Sequence, residues 1–166
     1  MYIVCMELDG SRSSGEDTRH AYIKTMDRTV KRKVGNLTII LIEDTYDKAL
    51  TAFNLGVAGV EMGMTVSMFF TARGINVLKK AYKPRRSRWG EAPIGWKETF
   101  IRRRGGPTLS QLMYQAKDMG VELLACYTSL ISTGLKEPHL ISGVRVVRMV
   151  EFLELSVQSD SQYVIG

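Results

Sequence analysis

The chain has 166 residues, 45% of them hydrophobic and 24% charged, a balance that suits one globular domain and excludes a wholly disordered chain. No apolar stretch reaches the roughly 20 residues that a membrane-spanning helix needs. The formal net charge is +6, but ten basic and only two acidic residues fall between residues 79 and 104, so the positive charge belongs to one segment.

A strand–helix–strand–helix order is predicted for the first half of the chain after residue 36. The apolar run Leu37–Ile42 lacks strict alternation, which suits a strand buried on both faces. A helix then extends to about Met62, because small and apolar residues recur at spacings of three and four. Thr65–Phe70 is a second strand and Ile75–Lys80 a short helix, so we expect parallel strands joined by crossover helices.

Residues 82–107 interrupt this order. They contain three of the four prolines, both tryptophans and most of the excess positive charge. We therefore predict a structureless basic loop over about residues 79–107. Segments of this kind inside a compact domain tend to be functional or mobile.

The second half of the chain returns to the alternation. Thr108 and Gln111 have the capping-box spacing that begins a helix, and Gly120 ends that helix. The later elements are predicted at Val121–Ala125 (strand), up to about Thr133 (helix), Val144–Val147 (strand), Arg148–Val157 (helix) and Gln162–Ile165 (strand). The fold class is therefore α/β, a three-layer α/β/α arrangement around a mainly parallel sheet of about five strands, flavodoxin-like in style.

The first 36 residues form an N-terminal extension, and residues 37–166 form the single α/β domain. Within the extension, Tyr2–Met6 is compatible with an edge strand and Arg19–Val34 with a weakly amphipathic basic helix. The stretch 10–17 between them is rich in Ser and Gly, as flexible connections are. The sequence assigns no role to this extension.

Cys126 is the strongest nucleophile at the expected functional edge of the sheet. Ligands of open α/β sheets gather outside the carboxyl ends of the strands, and Cys126 lies between a predicted strand and a helix. The helix dipole and the first backbone amides favour a thiolate there, so the pKa of the thiol is expected to fall below its usual value. We expect an ionised and reachable sulfur; the alternative is a small buried hydrophobic residue.

Several other chemistries find no support in the sequence. Cys5 and Cys126 form no C-x-x-C motif and no disulfide framework, and with His20 and His139 they offer no metal site. A cysteine hydrolase needs a histidine base, whereas His139 has the surroundings of a solvated loop residue. The glycines of residues 56–63 lie inside or after a helix, where they suit close packing and not a phosphate cradle. We expect no metal and no organic cofactor.

Three segments resemble the DsrE/DsrF-like family of sulfur-relay proteins. They are LTIILIEDTYDKALTAFNLGVAGVEMGMTVSMFFTARG, TLSQLMYQAKDMGVELLAC and ISGV, and the likeness extends from about Leu37 to the C-terminus. The most telling parts are the FFT-x-x-G turn at Phe69–Gly74 and the cysteine that closes the strand after A-K-x-x-G-V. The long loop before the second segment is similar to the larger members. Where those members often have bulky aromatic residues in the turn, this chain has Ala72 and Arg73.

The resemblance implies a compact α/β/α domain that assembles into oligomers and carries sulfane sulfur on the cysteine, here Cys126. The sulfur would be held as a persulfide or thiosulfonate and passed to an acceptor thiol. Residues expected to bind the donor or to stabilise the thiolate are Thr71, Arg73, Tyr127, Thr128, Ser129, Arg102 and Arg103. We expect a homo-oligomer in the cytoplasm, with sulfur donor and acceptor carrier proteins as partners, and neither a membrane nor a nucleic acid.

Two other functions stay open, as does the choice between a sulfurtransferase and a passive carrier. A non-catalytic module could hold an anionic ligand or a nucleic acid through the basic loop, with Arg102, Arg103 and Arg104. Its binding would weaken as salt is added and would not depend on Cys126. A peroxide-reducing thiol enzyme would need a resolving cysteine, for which Cys5 is the sole candidate.

Overall fold

Five parallel strands form the centre of the computed structural model, which describes residues 35–85 and 93–166. Their order across the sheet is β4-β3-β2-β1-β5, and every neighbouring pair is parallel, as predicted. The strands are β1 (Asn36–Leu41), β2 (Thr65–Phe70), β3 (Glu122–Cys126), β4 (Val144–Val147) and β5 (Ser161–Ile165). All carboxyl ends therefore meet at one edge of the sheet.

The described residues belong to one compact unit, Val34–Gly166. The strand and helix predicted within the first 34 residues lie outside the described part of the chain, as does Cys5. The predicted N-terminal extension is therefore described only at its last two residues, where Asn36 begins β1.

Helices connect the strands, mostly where they were predicted. They are α1 (Tyr46–Glu61), α2 (Ile94–Arg103), α3 (Leu109–Asp118), α4 (Tyr127–Ser132) and α5 (Met149–Val157), with 3₁₀ helices at Ala72–Leu78 and Glu137–His139. The capping box at the start of α3 is confirmed. The Thr108 amide donates to Gln111 Oε1 at 2.9 Å, and the Gln111 amide donates to Thr108 Oγ1 at 3.4 Å.

Two segments differ from their predictions. The short helix expected at Ile75–Lys80 is a 3₁₀ helix that begins at Ala72, two residues after β2 ends. The segment expected to be structureless contains α2, ten residues long. None of the α2 side chains is buried, and Trp96 is 73% exposed. The prolines that indicated a loop lie just outside this helix, since Pro93 precedes α2 and Pro107 follows it.

Side chains on the two faces of the sheet build two apolar layers. On one face, α1 and α3 pack against a core that includes Ile39, Met68 and Leu123. On the other face, Phe152 of α5 stacks on Phe69 of β2 with ring centroids 3.8 Å apart. This smaller cluster is completed by Leu124, Cys126 and Val147. The two layers establish the predicted α/β/α architecture.

The glycines of α1 serve close packing of the helix on the sheet, as the sequence suggested. A Cβ atom at Gly59 would lie 2.6 Å from Leu37 Cδ2 and 2.9 Å from Val66 Cγ2. At Gly56 it would lie 3.1 Å from the Met68 sulfur. Any larger side chain at Gly59 would push the helix away from β1 and β2, so these glycines are explained without a phosphate.

Candidate functional site

Cys126 lies at the carboxyl edge of the sheet, where β3 ends and α4 begins. It is paired with Val147 of β4 and is the N-cap residue of α4. Its side chain lies on the face that α5 covers, in the cluster with Phe69 and Phe152. The sulfur therefore has an apolar side, which raises the free energy of a charged thiolate.

Thr71 and Ser129 bring hydroxyl groups to the thiol from two neighbouring elements. Thr71 directly follows β2, and Ser129 lies in the first turn of α4. Their hydroxyl oxygens are 3.1 Å apart, and the Ala72 amide donates to Ser129 Oγ at 2.8 Å. Because that oxygen already accepts a hydrogen bond, the Ser129 hydroxyl proton can be directed at another acceptor, such as the sulfur.

The pKa of the Cys126 thiol is lowered below its ordinary value of 9.0. Burial alone raises this pKa, but hydrogen bonds from the Ser129 hydroxyl and amide, the Thr71 hydroxyl and the Thr128 amide lower it by more. The thiolate is thus stabilised by several neutral donors together, two of them backbone amides in the first turn of α4.

A strained turn positions these donors. Ala72 has φ 48°, in the left-handed region that costs a non-glycine residue roughly 1–2 kcal/mol. Its amide is the group that holds the Ser129 oxygen. Two residues later, the Gly74 amide donates to the Ile42 carbonyl oxygen at 2.8 Å, and a Cβ at Gly74 would lie 2.2 Å from the Leu41 carbonyl oxygen. Only glycine lets the turn close on the end of β1.

The reachable sulfur that the sequence led us to expect is not what the structure shows. Cys126 is only 1% exposed. The physical reason is the packing of Phe152 on Phe69 beside it, which depends on contacts between α5 and β2 that are distant in sequence. A reagent can reach the sulfur only when this part of the edge opens.

The remaining residues predicted for the site are spread more widely. Arg73 is exposed and close enough to Glu43 to help lower the pKa of that carboxyl group, which the Lys48 hydrogen bond lowers most. Tyr127 begins α4 and is 48% exposed. Arg102 and Arg103 are exposed at the end of α2, and no described contact joins them to Cys126. Thr128 takes part through its backbone amide.

Two contributors to the site carried no functional signal in the sequence. Ala72 matters through its backbone conformation and its amide N–H, which every residue type except proline has. Phe152 matters because it forms the apolar wall beside the sulfur, and it looked like one more core residue of its helix. A conformation forced on a non-glycine residue and a contact between distant elements are both features of the folded state.

In the described ranges, 35–85 and 93–166, no group of three or more His, Cys, Asp and Glu side chains could hold a metal ion. Within the same ranges, no helix has the length and apolar character that crossing a membrane requires.

Comparison with known sequences finds a family model and a relative that match parts of this chain. The sequence model of the DsrE/DsrF/DrsH-like family matches residues 33–93. This range includes β1, β2 and the turn with Thr71 and Gly74, but not Cys126. The chain is also 26% identical over 140 residues to the uncharacterized protein YrkE of Bacillus subtilis, a match that covers 70% of this chain and 88% of that protein.

Comparison with solved structures agrees on the fold. The crystal structure of the ychN protein from E. coli matches with a TM-score of 0.59 and 17% sequence identity. The match covers 78% of this chain and 98% of the ychN chain. At this identity the likeness establishes the fold alone.

Proposed function

We propose that this chain, whose residues 33–93 match the sequence model of the DsrE/DsrF/DrsH-like family, holds sulfane sulfur on Cys126 and passes it on in a sulfur relay. The observation that carries this proposal is the lowered pKa of a buried thiol surrounded by neutral hydrogen-bond donors. The thiolate is the nucleophile in exchange at sulfur, and a thiol of low pKa is also the better leaving group.

The exchange is a displacement at sulfur with no net oxidation. The Cys126 thiolate attacks the outer sulfur of a donor persulfide, R–S–SH; the sulfur–sulfur bond of the donor breaks, a new one forms at Cys126, and R–S⁻ leaves. An acceptor thiolate then attacks the outer sulfur of Cys126–S–SH, so that the acceptor becomes the persulfide and the Cys126 thiolate returns. Each step conserves sulfur atoms, protons and electrons.

Thr71 and Ser129 would act in both halves of this exchange. In the first half they stabilise the attacking thiolate, and in the second they stabilise the same thiolate as it leaves. These donors carry no formal charge, so they favour the thiolate without an ion pair. A lower pKa raises the thiolate fraction at neutral pH, while each thiolate becomes a somewhat weaker nucleophile.

Burial of Cys126 sets a condition on the mechanism. At 1% exposure, a donor can enter only after the edge between α4 and α5 opens. In return, the closed edge would protect a persulfide from water and from stray thiols. We propose that Arg73, exposed in the turn after β2, attracts anionic donors to this edge, and that Arg102 and Arg103 do so from α2.

We further propose that the protein works as a homo-oligomer in the cytoplasm, with proteins as sulfur donor and acceptor. Exposed apolar side chains of α5 support an assembly, since Val150, Leu153 and Val157 are 71%, 60% and 79% exposed. They lie on one stripe of the helix. Isolated apolar residues are common at surfaces, but a continuous stripe is typical of an interface.

The test is intact-protein mass spectrometry after incubation with polysulfide, before and after reductant. We expect adducts in steps of about 32 Da, one sulfur atom each, that reductant removes. Cys126→Ser should lose them, while the matched control Cys5→Ser should keep them. Repeated transfer to an acceptor thiol at substoichiometric protein would identify a sulfurtransferase, and a single transfer a carrier.

A Cys126→Ser protein that retains the same bound sulfur would contradict the proposal. The binding-module alternative would then gain weight from α2, where the Arg104 guanidinium lies 4.2 Å from the centre of the exposed Phe100 ring. That alternative predicts that replacing Arg102, Arg103 and Arg104 with Ala abolishes binding of anionic ligands, whereas Cys126→Ser leaves it unchanged.

A further inference from the structure

A cavity of about 380 Å³ lies beside α3, on the other face of the sheet from the Cys126 side chain. Among the residues that the structure describes, its lining includes Lys79, Lys80 and Lys117 and no Asp or Glu. Its volume is within the range of about 300–1,000 Å³ that small-molecule sites occupy. The sequence placed Lys79 and Lys80 in the basic loop without assigning them a site.

Hydrogen bonds between distant segments form the walls of this cavity. The backbone after the first 3₁₀ helix pairs with the backbone before β4: the Lys80 amide donates to the His139 carbonyl oxygen at 3.0 Å, and the Ile141 amide to the Leu78 carbonyl oxygen at 2.9 Å. From α3, Lys117 Nζ donates to Ser142 Oγ at 2.8 Å. The cavity is therefore formed before any ligand arrives.

The lysines of the cavity lack acidic partners. Among the residues that the structure describes, no salt bridge joins Lys79, Lys80 or Lys117 to a carboxylate. Lys79 and Lys117 are half-buried, so part of each side chain is withdrawn from water. Three ammonium groups around one concavity repel each other and focus a positive potential, which an entering anion would relieve.

Apolar and aromatic side chains form another part of the lining. Met113 and Tyr114 come from α3, four and three residues before Lys117, and Ile141 comes from the opposite wall. Tyr114 is 69% exposed, so its ring is available for stacking. A ligand that suits both parts has an anionic group for the lysines and a flat or apolar group for the tyrosine.

We propose that this cavity binds an organic phosphate, with its phosphoryl groups on Lys79, Lys80 and Lys117 and its apolar part against Met113 and Tyr114. Lysine is a common phosphate ligand that acts as a point charge, and the Ser142 hydroxyl beside Lys117 adds a donor. The site is separate from the thiol chemistry. Lys117 and Ser142 lie near the amino ends of β3 and β4, whereas Cys126 is at the carboxyl end of β3.

The test is a titration of the full chain, labelled with nitrogen-15, by pyrophosphate and by ADP, which has the same two phosphates with an added nucleoside. We expect saturable shifts of the amides around residues 79–80, 113–117 and 141–143. ADP should bind more tightly than pyrophosphate. Affinity for both should fall as salt is added, because the contacts are charged.

Variants test separately the contacts to the phosphates and the contacts to the apolar part of the ligand. Lys117→Gln should weaken pyrophosphate and ADP about tenfold, which is ~1.4 kcal/mol. Lys136→Gln removes the same charge outside the cavity and should change neither affinity. Tyr114→Ala should weaken ADP towards the affinity of pyrophosphate. Cys126→Ser should bind both probes like the wild type, so this test is independent of the sulfur proposal.

The proposal is overturned if pyrophosphate causes no saturable shifts, or if the shifts fall on other parts of the chain such as the end of α2. It is equally overturned if Lys117→Gln, with an unchanged amide spectrum, binds pyrophosphate as the wild type does. If Lys117→Gln does not fold, Lys80→Gln replaces it, since Lys80 is exposed. Equal affinity of ADP and pyrophosphate would reject the apolar half of the site.

Discussion

The edge around Cys126 and the cavity around Lys117 would stabilise a negative charge in two different ways. At Cys126 the charge belongs to the protein, the site is closed, and the groups that lower the pKa are hydroxyls and backbone amides without formal charge. At the cavity the charge would come from a ligand, the site is open, and three lysines face it without an acidic partner among the described residues.

The difference follows from what each charge must do. A thiol that takes part in exchange must attack and later leave as the thiolate, and neutral donors favour that thiolate without an ion pair. A bound anion only has to be held, and formal charges hold it best. The closed site depends on short contacts within the fold, whereas the open site depends on long-range electrostatics that salt weakens.

The largest expected effect comes from the substitution Gly74→Ala, which alters the turn beside Cys126. The added Cβ would lie 2.2 Å from the Leu41 carbonyl oxygen, so the backbone of the turn must move. We expect a loss of about 1–3 kcal/mol or more in the free energy of unfolding, measured by urea denaturation.

Gly95→Ala is the matched control, because a Cβ there meets nothing within 4 Å and the residue lies inside α2. It should gain roughly 0.5–1 kcal/mol from better helix propensity. Equal stability of the two variants would show that the close approach of the turn to β1 is not needed.

The next effect is on the thiolate, in Ser129→Ala. This change removes the hydroxyl whose hydrogen bond contributes most to lowering the pKa of Cys126. We expect the pKa to rise, so that a smaller fraction of the thiol is ionised at neutral pH. The rate of persulfide formation with polysulfide, followed by mass spectrometry, should fall accordingly.

Ser132→Ala provides the comparison on the same helix. The Ser132 hydroxyl donates to the Ser129 carbonyl oxygen at 3.1 Å and is not among the groups that act on the sulfur. Its persulfide formation should match that of the wild type. If both serine variants slow the reaction alike, the effect belongs to the stability of α4 and not to the thiolate.

Much of the fold could be predicted because local patterns decide it. The apolar runs at Leu37–Ile42 and Thr65–Phe70 mark buried strands, and the observed strands agree within one residue at each end. The capping box at Thr108 begins α3 as expected. The position of Cys126 at the carboxyl edge followed from the same strand and helix boundaries.

Features that depend on distant contacts could not be predicted. The burial of Cys126 results from Phe152, which the chain brings to Phe69 only when α5 packs on the sheet. The lysine cavity brings together the segments around residues 79, 117 and 142. The sequence of each segment, taken alone, is that of an ordinary exposed surface. The prolines and the basic charge around α2 indicate a loop, although Pro93 and Pro107 lie outside the helix, and for this reason α2 was not predicted.

The central claim is that neutral donors favour the thiolate form of Cys126 inside the closed edge. Its most direct test is a nuclear magnetic resonance titration of the Cys126 Cβ, labelled with carbon-13 in a Cys5→Ser chain, because this signal reports ionisation without a reagent having to reach the sulfur. We predict a midpoint below the ordinary thiol value of 9.0. A midpoint at or above 9.0 in the folded protein would contradict the account.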